Sequence, residues 1–203
     1  MPRLFAAIPL PAAVAGALAR FQQPLPGAKW IDPNDYHLTL RFAGDVDNIV
    51  AREFADFLRR IDINVFEMRL AGFGAFGGND PRVLWAGVDA GPELVALQRA
   101  VETAARSAGL KPERQQFKPH VTVARLRHSR PDAVSKFLER HAGARSPVFL
   151  VDSFALFSAK PRTGGGPYVI EETFPLAGYD FAADAEEFLE PDFDPPTTLH
   201  HER

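Results

Sequence analysis

Along the chain, short apolar stretches with strand-like alternation take turns with segments whose apolar residues recur every three or four positions. Residues 3–10 read as a strand, followed by a helix opened by Pro11 with Val14, Leu18 and Phe21 at helical spacing. A loop over 24–35, carrying Trp30, leads into a strand over 37–42 that Gly44 closes. Asp47 is placed to cap a helix reaching about Arg60, with Val50, Phe54, Phe57, Leu58 and Ile61 on one side. Strands over 65–73 and 83–88 are predicted to flank a glycine-rich loop. A longer helix over 92–108 shows Leu94, Leu97, Val101 and Ala105 on one face and ends at Gly109. A strand begins at His120, a helix covers 131–140, and strands over 148–157 and 168–176 complete a pattern that predicts two related halves.

Composition narrows the picture. With 203 residues, 46% of them hydrophobic, the chain can bury a sizeable core. It has no cysteine, which excludes disulfides, a thiol nucleophile and any thiolate metal site. The net charge of -3 is uneven: residues 178–203 carry -7 and the preceding 177 residues +4. A mildly basic body suits an anionic substrate, though dispersed surface charge gives the same sum. The proline-containing acidic tail, 178–203, reads as loosely ordered and dispensable for activity. The first twenty residues resemble a secretory signal in outline, but Pro9 and Pro11 interrupt the apolar stretch and favour the strand and helix. Nowhere is there a run of about 18 apolar residues, so no membrane span is expected.

The candidate chemistry lies in a repeated triplet, His37-Leu38-Thr39-Leu40 and His120-Val121-Thr122-Val123. In a strand, each His shares a face with its Thr while the flanking aliphatics point the other way. Six His and seven Thr would give about 0.2 His-x-Thr triplets by chance, so the pair calls for a functional reading. A single copy is usually structural, and two His without a third ligand at suitable spacing make a poor zinc site. Across a cleft, one imidazole could take a proton from water while the other gives one to a leaving oxygen. Thr39 and Thr122 could donate hydrogen bonds to phosphate oxygens. Gly72 to Gly77 matches the dinucleotide pattern GxGxxG, but turn residues Gly78-Asn79-Asp80-Pro81 follow where a helix is required. Gly164-Gly165-Gly166 reads as a hairpin tip, and His128, His141, His200 and His201 as surface residues.

Trp30, the stretch Tyr36 to Gly44 (YHLTLRFAG), the stretch Pro81 to Val88 (PRVLWAGV), the stretch Phe117 to Arg125 (FKPHVTVAR) and the opening Arg3 to Pro11 occur in an order that resembles one family. These residues are similar to the bacterial and archaeal RNA 2′,3′-cyclic phosphodiesterases of the 2H phosphoesterase superfamily, historically called 2′-5′ RNA ligases. The resemblance implies an α/β (α+β) bilobal domain over 1–177, with two antiparallel sheets in pseudo-twofold arrangement around a central groove and helices outside. It implies hydrolysis of an RNA terminal 2′,3′-cyclic phosphate to a 2′-phosphate with no metal or other cofactor. Its partners would be RNA or oligonucleotide ends; a monomer in the cytoplasm is expected.

Mapped onto this chain, His37 would protonate O3′ and His120 activate water, although near-symmetric motifs allow the swap. Arg125 matches the family's phosphate-binding arginine. Strict alternation nevertheless puts Arg125 on the face opposite His120, and Arg41 on the face of His37; only a bulge or the strand's end would turn Arg125 to the groove. Phe5, Phe42, Phe76 and Tyr168 are candidates to stack a base. Alternatives are a nucleotide- or RNA-binding module without turnover, and a reversible 2′-5′ ligase.

Overall fold

The computed structural model describes residues 1–159 and 166–178, so the expected acidic tail from 179 onward and most of the glycine hairpin tip lie outside the described residues. Strand β1 (Arg3–Pro9) lies antiparallel between β3 (His37–Asp45) and β8 (Ser153–Ala159). Leu4, Ala6 and Ile8 join the main core and Phe5 and Ala7 a second cluster. Burial on both faces explains why this strand is apolar at consecutive positions.

Four helices follow the periodicity closely: α1 (Ala12–Ala19), α2 (Asn48–Leu58), α3 (Pro92–Ser107) and α4 (Pro131–Arg140). Asp47 Oδ1 accepts the Ile49 and Val50 N–H groups at 2.8 and 2.9 Å, satisfying two donors that the helix start leaves open. Leu94, Leu97, Val101 and Ala105 of α3 are buried, and Gly109 takes the positive φ of 84° that ends the helix. These helix faces share one core with Leu38, Leu40, Val121 and Val123. The aliphatic side of each motif strand is thereby anchored, at about 1.5–3 kcal/mol per buried large side chain.

The strands form an antiparallel sheet in the order β7 (Phe149–Val151), β4 (Phe66–Phe76), β5 (Val83–Ala90), β6 (His120–Leu126), β3, β1, β8 and β9 (Val169–Pro175), with β2 (Ala28–Trp30) pairing β6. Where two separate sheets are expected, the described strands join into one, through a waist of a single residue pair, Leu38 opposite Val121. Three other expectations change. The glycine-rich segment is not a loop: β4 runs on to Phe76, with Gly72 at φ 65° where the pairing shifts register. A Cβ at Gly74 would collide with the Trp85 ring, so this glycine serves packing. Residues 148–157 form two strands, not one, divided at Asp152, with β7 on β4 and β8 on β1. Strands adjacent in sequence yet far apart in sheet order require the sheet to curl. The third change is β2, three residues of strand inside the expected loop.

Candidate active site

The waist brings the two triplets together. With Leu38 opposite Val121, antiparallel register sets His37 across from Thr122 and Thr39 across from His120. His37 and His120 are then diagonal neighbours, a relation that in a regular ladder spans about 7–8 Å. All four side chains line one cavity of about 510 Å³. Each ring is fixed in the same way: Nδ1 of His37 lies 2.7 Å from the carbonyl oxygen of Asp35, and Nδ1 of His120 lies 2.7 Å from that of Lys118. A carbonyl only accepts, so Nδ1 carries the hydrogen and Nε2 is left for the groove.

Arg125 also lines this cavity, and the reason is a bulge. Along β6, Thr122 pairs with Trp85 and Ala124 with Leu84, which leaves Val123 as the extra residue. Val123 and Ala124 are consequently both buried and the alternation resets, turning Arg125 to the His120 face. β3 carries the matching irregularity at Leu40, between the pairs Thr39–Ala7 and Arg41–Ala6. There the reset turns Phe42 outward and Arg41 inward, correcting the face that alternation assigns to Arg41. Buried Arg41 donates from Nε to Glu102 at 2.5 Å and from its terminal nitrogens to the Phe42 and Lys111 carbonyls. It fastens the end of β3 to the segment leading to His120.

The surroundings of the two imidazoles differ. His37 rests on an aromatic stack: Phe5 at 4.8 Å, itself parallel to Phe157, with Tyr168 edge-on at 5.0 Å. His120 has Phe76 edge-on at 5.0 Å and Trp85 at 6.1 Å. Burial, the largest influence, pushes both below the ordinary histidine pKa. For His37 the bond to the Asp35 carbonyl and the Asp35 carboxylate pull upward, while His120 and Arg125 push down. For His120 the bond to the Lys118 carbonyl pulls upward, while Lys118 and Arg125 push down. Thus the residue two positions before each His is an acid in one half and a base in the other. Periodicity does not reveal Asp35 and Lys118; their place two residues upstream of the repeated motif is the signal that could.

Of the aromatic candidates, Phe42, Phe76 and Tyr168 border the cavity with some exposure, whereas Phe5 is buried and serves as floor. Burial raises the Tyr168 hydroxyl pKa above its usual value. His128 is exposed, but His141 is wedged against Phe137 at 4.7 Å and Phe21 at 5.2 Å, so it is partly core. Among the described residues no three His, Asp or Glu side chains converge as metal ligands, and no helix is long and apolar enough to cross a membrane.

Comparisons with known proteins identify relatives of the chain and of its fold. A family model for the 2′-5′ RNA ligase superfamily matches residues 10–161. The RNA 2′,3′-cyclic phosphodiesterase of Aeropyrum pernix is 39% identical over 123 residues, 58% of this chain and 70% of the relative. That of Methanothermobacter thermautotrophicus is 31% identical over 182 residues, 86% of this chain and 98% of the relative. Among solved structures, a Thermus thermophilus protein superposes with a TM-score of 0.72 at 25% identity, covering 88% of this chain and 100% of its own. E. coli LigT complexed with 3′-AMP superposes with a TM-score of 0.68 at 23% identity, covering 87% and 99%, and so shares the mixed α/β fold.

Proposed function

The chain belongs to the 2′-5′ RNA ligase superfamily, and on that footing we propose that it is an RNA 2′,3′-cyclic phosphodiesterase working by metal-independent acid-base chemistry at His37 and His120. Water attacks the phosphorus in line with O3′; the new O–P bond forms as P–O3′ breaks. His120 Nε2 takes the proton from water and His37 Nε2–H gives one to O3′, leaving a 2′-phosphate. Thr39 and Thr122 donate to the non-bridging oxygens, and Arg125 supplies the positive charge opposite them.

The assignment of acid and base rests on the two upstream residues. Asp35 favours the imidazolium at His37, as an acid needs, and Lys118 favours the neutral ring at His120, as a base needs. An internal pseudo-twofold is supported by element order: β1, α1, β3, α2, β4 and β5, α3, β6, α4, β8 repeat the same sequence of strands and helices about the waist, with the short β2 and one 3₁₀ turn, Pro33–Asp35, inserted in the first and the short β7 in the second. The single observation carrying the proposal is that both imidazoles line one cavity with Nδ1 occupied and Nε2 left over.

The test is an EDTA-treated sample given an oligonucleotide ending in a 2′,3′-cyclic phosphate. Undiminished conversion to a 2′-phosphate is expected. A 3′-phosphate product, loss of turnover on chelation, or binding without hydrolysis would overturn the proposal.

A further inference from the structure

Each imidazole meets one aromatic ring at the same distance and angle: Tyr168 stands 5.0 Å from His37 at 88°, and Phe76 stands 5.0 Å from His120 at 88°. Neither ring comes from a strand beside its histidine. Tyr168 precedes β9, three strands out from β3, and Phe76 ends β4, two strands out from β6. We propose that Tyr168 and Phe76 are positioning residues, a matched pair of wedges that hold the two imidazoles at the angle from which Nε2 meets the reacting oxygens. The inference rests on the phosphodiesterase reading and adds to it what fixes the orientation of the two histidines.

Hydrogen bonding alone leaves that orientation loose. The bond from Nδ1 to a carbonyl selects the tautomer and restrains one corner of the ring, while the χ2 torsion of a histidine is broad and roughly two-fold. An aromatic ring standing perpendicular against each imidazole blocks the remaining swing.

The residue two positions before each histidine seats the wedge as well. Asp35 Oδ1 accepts the Tyr168 N–H at 3.1 Å, across 133 residues of sequence, while the Asp35 carbonyl holds His37. Gly166 makes that approach possible, since a Cβ there would collide with the Asp35 carboxylate. Lys118 does the same for the other half by a different force. Its carbonyl holds His120, and its ammonium lies 5.2 Å from the centre of the Phe76 ring and 4.7 Å from that of Trp85. Each wedge is backed in turn, Tyr168 by Phe5 at 5.1 Å and Phe76 by Trp85 at 5.2 Å. One residue thus ties ring and wedge together in each half, through a hydrogen bond in the first and a cation over a ring in the second.

The experiment is steady-state kinetics of Tyr168→Leu and Phe76→Leu on a nucleoside 2′,3′-cyclic phosphate, with solvent exchange of the histidine Nδ1–H protons followed by NMR. Loss of a perpendicular aromatic contact should lower kcat about two- to tenfold while KM stays put. Tyr168→Phe, which keeps the ring, should restore kcat. Tyr168→Leu should speed exchange of the His37 Nδ1–H and leave that of His120 alone, and Phe76→Leu should do the reverse. Asp35→Ala should loosen the His37 ring as Tyr168→Leu does, whereas Asp35→Asn, which keeps an oxygen for the Tyr168 N–H, should not. A raised KM at unchanged kcat would make these rings platforms for a base and overturn the proposal, as would exchange rates that none of the variants alters. If the unaltered protein shows no turnover, the reaction reading fails. Nδ1–H exchange then decides the wedges separately, acceleration confined to the facing histidine supporting them and no change rejecting them.

Discussion

Replacing Arg41 and Arg125 by alanine in turn separates two roles that the bulges assign to two otherwise similar side chains. Arg41 is 8% exposed and its partner Glu102 20%, so Arg41→Ala leaves a mostly buried carboxylate without its counter-ion and frees the Phe42 and Lys111 carbonyls. Breaking a buried pair from one side costs about 3–5 kcal/mol. For a chain of this size that corresponds to a fall in Tm of about 6–20 °C. Arg125 faces the open groove, so Arg125→Ala should leave Tm within about 2 °C. It should lower kcat/KM about 10- to 100-fold, the worth of charge-assisted bonds of about 1.5–3 kcal/mol to phosphate. Differential scanning calorimetry and a cyclic-phosphate assay on the same samples read both. An Arg41→Ala protein with an unchanged Tm and an Arg125-like loss of turnover would show that the faces have been assigned wrongly.

The pH dependence of kcat/KM on a mononucleotide substrate should rise as His120 loses its proton and fall as His37 loses its own. Lys118→Met removes a charge that depresses the His120 pKa and moves the rising limb to higher pH; Asp35→Asn removes one that supports the His37 pKa and moves the falling limb to lower pH. Were Lys118→Met to move the falling limb and Asp35→Asn the rising limb, acid and base would be exchanged. His37→Ala or His120→Ala should lower kcat about 10²- to 10⁴-fold in rapid-quench or steady-state assays, and near-normal turnover in either would reject its role. Gly74→Ala drives a methyl into the Trp85 ring and should cost about 1–3 kcal/mol in chemical denaturation; an unchanged midpoint would mean that the indole does not lie flat on β4.

The helices and the repeated triplet were readable because each obeys a period: 3.6 for α2 and α3, two for His37 to Leu40 and His120 to Val123. A single extra residue breaks the second period without leaving a mark in composition. Leu40 and Val123 are ordinary strand residues, yet each inverts the face assignments that follow it, in β3 until a second irregularity at Ala43, which is why alternation misplaces Arg41 and Arg125. The glycines of β4 mislead for a related reason. Gly72 and Gly74 look like loop chemistry, but one accommodates a register shift and the other makes room for an indole from the neighbouring strand. The division of 148–157 at Asp152 depends on which distant strand each piece meets, and the join of the two halves on the one pair Leu38–Val121. Both are tertiary contacts with no local signature.

The most direct measurement of the central claim is an NMR titration of the histidine ring nitrogens with a nucleoside 2′-phosphate. Both imidazoles should respond together, His37 and His120 shifting in proportion and saturating at one equivalent, with the pKa of each raised by the bound anion. A response confined to one ring, or two responses saturating at different concentrations, would mean that no single phosphate lies between them.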